Sequence, residues 1–303
     1  MDTLNKRSAL RPLRSALFSP AINLRAMEKT RQIDADAFIL DLEDAVAPDA
    51  KAAARSNVRN FLAQRQPDGR DMVVRVNGLD TPWWREDLAC LRELALAAIL
   101  VPKINTAEDV RRLEEALDAA GAPPSLRLWT MIETPLAVMN LAAIAQRALA
   151  PGSRLGAFVM GANDLLKALR AAHTPERTPL LYAMGAAVMA ARAYGLAILD
   201  AVHNDFADLD GLQRSCEQAR ALGFDGKTLI HPAQVAICNR VFSPDPRAAL
   251  EARKIIEAFE RPENLGKGVL QVEGRMVELL HLEMARETVA IAAAIAAREA
   301  ARA

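Results

Sequence analysis

The chain has 303 residues, of which 51% are hydrophobic and 25% are charged, a balance typical of a soluble globular protein. Its 38 basic side chains match its 38 acidic ones, which argues against a nucleic-acid partner, because such binding needs a basic surface. The three cysteines lack metal-ligand or disulfide-framework spacing, and no window has the pattern of a signal peptide or a membrane span. We therefore expect a cytoplasmic protein with no membrane partner.

Short apolar runs alternate with longer amphipathic stretches over residues 1–242. Strands are predicted at 15–19, 37–42, 72–76, 97–101, 126–132, 155–160, 196–199 and 226–230. Helices are predicted at 23–33, 49–63, 83–94, 106–120, 135–149, 164–194 with a break at 173–179, 208–222, and from 232 onward. Candidate N-caps are Asn23, Thr81 and Thr106.

Eight strand–helix units imply parallel strands joined by right-handed crossovers. Such units most simply close into an α/β fold of the (β/α)8 TIM-barrel type. An open doubly wound sheet is the alternative, but the turn after the first strand lacks the glycines of a dinucleotide-binding fold. The sequence therefore predicts a TIM-barrel domain over 1–242.

Residues 243–303 form a separate C-terminal extension. Helices are predicted at 245–259 and 279–303, and a hairpin turn at Glu273-Gly274-Arg275 joins two short strands between them. A hairpin and a helix bury little surface by themselves, so we expect this extension to dock on its own barrel or on a neighbour's.

Polar side chains recur just past the predicted strands, where barrel enzymes place their chemistry. They are Asp41, Glu43, Asp44, Arg75, Asn77, Lys103, Glu133, Asp164, Asp200 and His231. Packing alone does not account for a polar rim on an otherwise apolar barrel.

Glu133 and Asp164 follow neighbouring predicted strands, so their carboxylates should lie close together. Two close carboxylates repel unless one takes up a proton or a cation lies between them. Mg²⁺ fits, because it needs only one or two protein carboxylates and keeps positions for water and substrate oxygens. The alternative interpretation is that each acid is only a helix N-cap.

Arg75 ends the third strand, where a fixed guanidinium suits the binding of a carboxylate or an oxyanion. The alternative is an ion pair with Glu43 or Asp44, which is compatible with that role. Lys103 is expected to form a salt bridge to a loop, and His231 to be a hydrogen-bonded rim residue.

The chain resembles the citrate lyase β-subunit and malyl-CoA lyase-like group of the HpcH/HpaI aldolase/citrate lyase superfamily. The motifs that carry the resemblance run in order from Arg14 to the end of the chain. They are 14–18 (RSALF), 40–48 (LDLEDAVAP), 74–77 (VRVN), 101–103 (VPK), 132–135 (IETP), 160–165 (MGANDL) and 226–232 (GKTLIHP).

The resemblance implies a TIM-barrel lyase with Mg²⁺ on Glu133 and Asp164, and with Arg75 on the substrate. It implies a thioester of CoA or of an acyl carrier protein across the barrel mouth, and a homotrimer or hexamer whose C-terminal extension acts as a lid. The lid of the CoA lyases carries an acidic residue, usually Asp, in a pattern that reads Gly274-Arg275-Met276-Val277-Glu278 here. Glu278 is therefore the expected proton donor.

The remaining expected site residues surround this core. Glu43 and Asp44 would support Arg75, and the backbone of Gly161, Ala162 and Asn163 would offer N–H groups to a substrate carboxylate. Substrate contacts are also expected from Phe18, Pro20 and Arg14, with Arg14 near the CoA phosphates.

The reaction implied is carbon–carbon cleavage of a 3-hydroxy dicarboxylic acyl-CoA to a 2-oxo acid and an acyl-CoA. Malyl-CoA, methylmalyl-CoA and citramalyl-CoA all fit as substrates. The alternatives are a malyl-CoA thioesterase, a citrate lyase β-subunit, and a non-catalytic scaffold that binds CoA esters.

Overall fold

The computed structural model describes residues 12–65 and 68–300. The chain divides into two compact units at Phe242/Ser243. Residues 1–11 of the predicted barrel domain, and residues 301–303 of the predicted extension, lie outside the described part.

The first unit is built on a closed barrel of eight parallel strands. The strands are β1 Ser15–Pro20, β2 Ala37–Asp41, β3 Asp71–Arg75, β4 Ala98–Val101, β5 Arg127–Ile132, β6 Leu155–Met160, β7 Ala197–Asp200 and β8 Gly226–Leu229. Each strand pairs with the next in sequence, and β8 pairs with β1 to close the barrel. This confirms the predicted (β/α)8 fold.

Helices connect successive strands, and a last helix follows β8. They are α1 Leu24–Lys29, α2 Lys51–Ala63, α3 Trp84–Leu91, α4 Ala107–Ala119, α5 Pro135–Met139, α6 Leu141–Gln146, α7 Ala162–Leu169, α8 Leu181–Ala193, α9 Leu209–Leu222 and α10 Val235–Phe242. Asn23 caps α1, and Thr106 caps α4 in a reciprocal arrangement with Asp109, as predicted. Thr81 is not an N-cap, because its hydroxyl donates to the Gly78 carbonyl in a turn before α3.

The helix predicted over 135–149 is broken at Asn140. The backbone of Asn140 leaves the helical conformation (φ −104°, ψ 8°), so α5 and α6 are separate elements. Its side-chain Nδ2 donates to the Asn105 carbonyl at 2.9 Å, in the loop before α4. Asparagine side chains that hydrogen-bond to the backbone compete with helix formation, which accounts for the break at Asn140.

The strand residues sort by parity into two apolar layers, as the period of two along a strand requires. Alternate residues such as Ile39, Val73 and Val159 fill the barrel interior. Their neighbours, such as Leu40 and Val74, pack outward in the larger cluster that includes the helices. The same alternation directs strand-end residues either into the barrel mouth or toward the helix layer.

Strand register decides which strand ends become neighbours. Asp41, at the end of β2, pairs with Arg75 at the end of β3. Ile132 pairs with Met160, so Glu133 and Gly161, the next residues of β5 and β6, are adjacent. The hydrogen-bonding pattern of the barrel therefore brings Asp41 beside Arg75, and Glu133 beside Gly161.

The second unit contains α11 Pro246–Glu260, the antiparallel strands β9 Val269–Val272 and β10 Arg275–Glu278, and α12 Leu279–Ala300. Asp245 caps α11. A small apolar core joins these elements through Phe259, Leu270, Val277 and Leu282. Among the described helices of either unit, none combines the length and the apolar character that a membrane span needs.

Candidate active site

A cavity of about 390 Å³ opens at the C-terminal ends of the barrel strands. One part of its wall is polar and the other apolar. The lining residues are Phe18, Pro20, Asp41, Asp44, Ala45, Arg75, Met131, Glu133, Val159, Met160, Gly161, Ala162, Asn163, Asp164, Val202, Asn204, Thr228 and Ile230.

Glu133 is buried at the end of β5, with only 1% of its surface exposed. Its Oε1 accepts a hydrogen bond from the Lys103 backbone N–H at 2.8 Å. On the other side it meets Gly161, where a Cβ atom would lie 2.5 Å from Glu133 Oε2. Glycine is required there because any side chain would displace the carboxylate.

Burial is the main cause that raises the pKa of Glu133 to about 7. The Lys103 N–H opposes this rise, whereas the nearby charge of Asp164 adds to it. A buried carboxyl beside a second carboxylate is the electrostatic setting in which a bound cation is most favourable.

Asp164 lies in the first turn of α7, and its side chain is half-buried at the cavity. The alternative interpretation of both acids as N-caps is wrong. Thr134 is the residue that caps α5, by accepting from Ala137 N–H, and Gly161 occupies the N-cap position of α7. Neither carboxylate caps a helix, and both residues line the cavity.

Arg75 is fixed by Asp41 in a bidentate ion pair. Its Nε and Nη2 each donate to one oxygen of Asp41 at 2.7 Å. Burial alone would lower the pKa of Arg75, but the Asp41 hydrogen bonds and the charges of Glu43 and Asp44 raise it overall. The guanidinium is therefore permanently charged and held in one plane at the cavity wall.

The third guanidinium nitrogen, Nη1, faces the acids predicted to support Arg75. It lies 2.8 Å from Glu43 Oε2, in a direction that makes no hydrogen bond, and donates to Asp44 Oδ2 at 3.3 Å. Burial raises the pKa of Glu43 to about 8, against the opposing charge of Arg75. The Phe18 ring stacks on the guanidinium with its centre 5.0 Å from Cζ.

The other predicted contacts at the barrel mouth are also at the cavity. Pro20, Gly161, Ala162 and Asn163 line it. The Asn163 carboxamide exchanges two hydrogen bonds with that of Asn204, which follows β7. The Lys103 ammonium forms the expected salt bridge, 3.8 Å from Glu43 Oε1, and His231 Nδ1 accepts from Ala233 N–H.

Sequence reasoning noted Asp41 at a strand end but did not assign it to the site. It also missed the apolar wall made by Met131, Val159, Val202 and Ile230. The period-two alternation that places Ile39 inside the barrel also places Asp41 inside, so that signal was available for Asp41. Loop residues such as Val202 and Asn204 carry no comparable pattern.

The expectation that Arg14 contacts the CoA phosphates is wrong. Arg14 precedes β1, so it lies at the N-terminal end of the barrel, opposite the cavity. It is 4% exposed, and its Nη2 forms a 2.9 Å ion pair with the buried Asp36. A buried, paired guanidinium on the far end of the barrel has no access to a ligand at the mouth.

Glu278 belongs to the second unit, at the end of β10, where its side chain is exposed. Its backbone N–H donates to His281 Nδ1 at 3.0 Å. Its expected role as a proton donor remains a prediction.

The donor set is suited to a hard cation. Within 12–65 and 68–300, no three His, Cys, Asp or Glu side chains gather into a metal cluster. A cation here would rest on Glu133 and Asp164 and complete its coordination with water and ligand oxygens, as Mg²⁺ commonly does. Both acids line the cavity, so a ligand there has access to their side of the wall.

Residues 14–232 match the family model described as HpcH/HpaI aldolase/citrate lyase. A (3S)-malyl-CoA thioesterase of Cereibacter sphaeroides is 46% identical over 286 residues, covering 94% of this chain and 96% of that protein. The human mitochondrial citramalyl-CoA lyase is 30% identical, covering 94% of this chain and 86% of that protein.

The solved structure of CitE from Mycobacterium tuberculosis, in complex with magnesium, acetoacetate and coenzyme A, superposes with a TM-score of 0.73. It is 29% identical and covers 95% of this chain and 99% of that chain. The likeness extends through the whole fold. The chain therefore belongs to the HpcH/HpaI aldolase/citrate lyase family, and it is an enzyme of that family built on a TIM barrel.

Proposed function

We propose that the protein is a Mg²⁺-dependent lyase that cleaves a 3-hydroxy dicarboxylic acyl-CoA of the malyl-CoA, methylmalyl-CoA or citramalyl-CoA type. The products would be a 2-oxo acid and an acyl-CoA. The proposal rests on one observation: two carboxylates that cap no helix, Glu133 and Asp164, line the same cavity as the rigidly held guanidinium of Arg75. The CoA-ester activities named for the relatives, and the magnesium and coenzyme A in the CitE complex, support it.

Glu133 and Asp164 would hold the cation. When bound, Mg²⁺ supplies Lewis-acid chemistry that makes a neighbouring hydroxyl more acidic. Glu133 is the better-fixed ligand, because the Lys103 N–H donates to Oε1 and Gly161 packs closely against the side chain. Asp164, half-buried on α7, would complete the protein's share of the ligands.

Arg75 would stabilise the oxyanion of the thioester enolate that forms as the carbon–carbon bond breaks. Asp41 already fixes Nε and Nη2, so Nη1 would have to reach a substrate oxygen by exchanging its 3.3 Å hydrogen bond to Asp44 Oδ2. A preorganised donor of this kind typically contributes about 3–4 kcal/mol to a transition state. The first-turn N–H groups of α7, at Ala162 and Asn163, would bind the substrate carboxylate.

Protonation of the enolate carbon completes the reaction, and Glu278 is the proposed acid. Its place on an exposed hairpin suits a residue that closes over a site, with the extension 243–303 acting as the lid. We propose a homotrimer or hexamer in the cytoplasm as the working form. The exposed apolar side chains of Met276, Leu279 and Leu280 beside Glu278 are consistent with a surface that is covered in an assembly.

Thioester hydrolysis is the second candidate reaction. It is favoured by the 46% identity to a (3S)-malyl-CoA thioesterase over nearly the whole chain. The same cavity would bind the same substrate and direct water to the thioester carbonyl instead of breaking the carbon–carbon bond.

Incubation of the purified protein with (3S)-malyl-CoA separates these reactions. Glyoxylate and acetyl-CoA identify the lyase, whereas malate and free CoA identify the thioesterase. Glu133→Gln should lower turnover at least about a hundredfold and remove its dependence on Mg²⁺, whereas Glu115→Gln, on the exposed face of α4, should be unaffected. Full activity of Glu133→Gln would refute the proposed site, and no product from malyl-CoA or its methylated analogues would refute the substrate class.

A further inference from the structure

Lys103 follows β4 with a left-handed backbone, at φ 54°. Few residues other than glycine adopt this conformation, because it costs an L-residue about 1–2 kcal/mol. The three other non-glycine residues of this kind in the described chain lie at ordinary turn positions: Arg170 closes α7, Arg177 precedes the 3-10 turn Thr178–Leu180, and Glu273 is in the hairpin turn. Lys103 lies in the loop after the C-terminal end of β4, in contact with the cavity residue Glu133, where strain is more often tied to function.

The unusual backbone brings the Lys103 N–H onto Glu133. The N–H donates to Oε1 at 2.8 Å from the neighbouring strand, and Gly161 approaches the carboxylate from the other side. The carboxylate is therefore held between two backbone segments at the cavity wall, with Oε1 hydrogen-bonded to one of them.

The side chain of Lys103 makes a second connection. Its ammonium lies 3.8 Å from Glu43 Oε1, and Glu43 Oε2 lies 2.8 Å from Arg75 Nη1. Partial burial alone would lower the pKa of Lys103, but the carboxylates of Glu43, Asp80 and Glu133 raise it, so the ammonium stays charged. Glu43 is thus bracketed by two cations.

We propose that Lys103 is a positioning residue with two separable parts. Its backbone N–H fixes the orientation of the Glu133 carboxylate at the proposed cation site, and its ammonium keeps Glu43 in place against Arg75. One residue thereby couples the carboxylate end of the site to its guanidinium end. The inference rests on the proposed function and adds a residue to it.

Side-chain variants test the ammonium. Lys103→Gly and Lys103→Met both remove the charge and keep the N–H, so both should lower kcat about tenfold, and Lys103→Arg should recover most of it. Mg²⁺ affinity, measured by calorimetry, should stay the same or tighten, since a positive charge has left the site. Lys103→Gly should also melt at a higher temperature than Lys103→Met, because glycine relieves the left-handed strain.

Arg170→Gly is the matched control, since it relieves the same backbone conformation (φ 56°) on an exposed residue. It should raise the melting temperature without changing turnover. Wild-type kcat in Lys103→Gly would overturn the role of the ammonium.

An amide-to-ester replacement at residue 103, introduced with an α-hydroxy acid, tests the backbone part. It removes the donor to Glu133 and should weaken Mg²⁺ binding about tenfold, whereas the same replacement at Ile104 should not. Unchanged Mg²⁺ affinity would overturn the role of the N–H. A wild-type protein that binds no divalent cation would instead refute the proposed function, and this inference with it.

Discussion

Asp41 and Arg75 set the electrostatics of the site at the level of single residues. The bidentate pair is buried, with Asp41 3% and Arg75 8% exposed, so water cannot take the place of either partner's hydrogen bonds. Removing one partner of a buried pair leaves an uncompensated charge. The acids Glu43 and Asp44 then complete a cluster in which carboxylates outnumber cations, which favours protons or metal ions as further ligands.

Gly161 tests the close contact on which the position of the Glu133 carboxylate depends. In Gly161→Ala the new Cβ would lie 2.5 Å from both Cβ and Oε2 of Glu133, so the carboxylate must move. We expect Mg²⁺ affinity to fall about tenfold and the free energy of unfolding to drop by about 1–3 kcal/mol. Calorimetric titration and urea unfolding measure the two effects.

Gly185→Ala provides the matched control. Gly185 lies within α8 and has no atom within 4 Å of an added Cβ. This substitution should stabilise the protein by about 0.5–1 kcal/mol through helix propensity and leave Mg²⁺ binding alone. Equal Mg²⁺ affinities in the two variants would contradict the contact between Gly161 and Glu133.

The pH dependence of stability should report Glu43. Its pKa is about 8 in the folded protein against an ordinary value of 4.5, so between these values the folded state holds a proton that the unfolded state has lost. Raising the pH through this window must therefore lower the free energy of unfolding. Below pH 4.5 both states hold the proton, so this contribution no longer changes with pH. Melting curves from pH 5 to 9, recorded with a chelator, should show this decline.

Glu43→Gln should flatten the decline, because glutamine does not titrate. Some decline should persist, since the pKa of Glu133 is also raised, to about 7. A variant whose melting curves depend on pH as steeply as those of the wild type would exclude Glu43 as the source.

At the scale of elements, the N-cap of α4 stabilises the helix that follows β4. The Thr106 hydroxyl accepts from Asp109 N–H, and the Asp109 carboxylate accepts from Thr106 N–H. This reciprocal pair caps α4 where the helix begins. Thr106→Ala should therefore lower the free energy of unfolding by about 1 kcal/mol, with little effect on KM. Ser56→Ala, inside α2, removes a hydroxyl that is not a cap, and denaturant melts should show it to be neutral or slightly stabilising. A Thr106→Ala protein as stable as the wild type would contradict the cap.

At the scale of the whole molecule, the proposed lid predicts complementation between subunits. If Glu278 acts on a neighbour's cavity, hybrids of Glu278→Ala and Arg75→Ala subunits should regain part of the activity that each variant lacks alone. The regained fraction is set by the proportion of sites with one intact Arg75 and one intact Glu278. Light scattering verifies the assembly and a turnover assay measures the recovery.

Two comparisons make the hybrid experiment decisive. Glu283→Ala alters another exposed acid of the same extension and should be fully active without a partner. Verified hybrids of Glu278→Ala and Arg75→Ala that remain inactive would count against an acid donated between subunits.

The sequence by itself determined the strand–helix alternation, the barrel and the rim on which Glu133, Asp164 and Arg75 lie. It could do so because apolar periodicity is local, and because parallel strands in a barrel carry their C-terminal ends to one side. The same rule also identifies why Arg14 was misassigned, since a residue that precedes β1 must lie at the other end.

Only the tertiary structure decided which rim residues touch. The Asp41 clamp on Arg75, the approach of Gly161 to Glu133, and the Lys103 N–H on Glu133 each join residues about 30 positions apart. These contacts depend on strand register and on one left-handed backbone. Neither feature leaves a local pattern in the chain, because each is set by how neighbouring strands pair and by the packing around them.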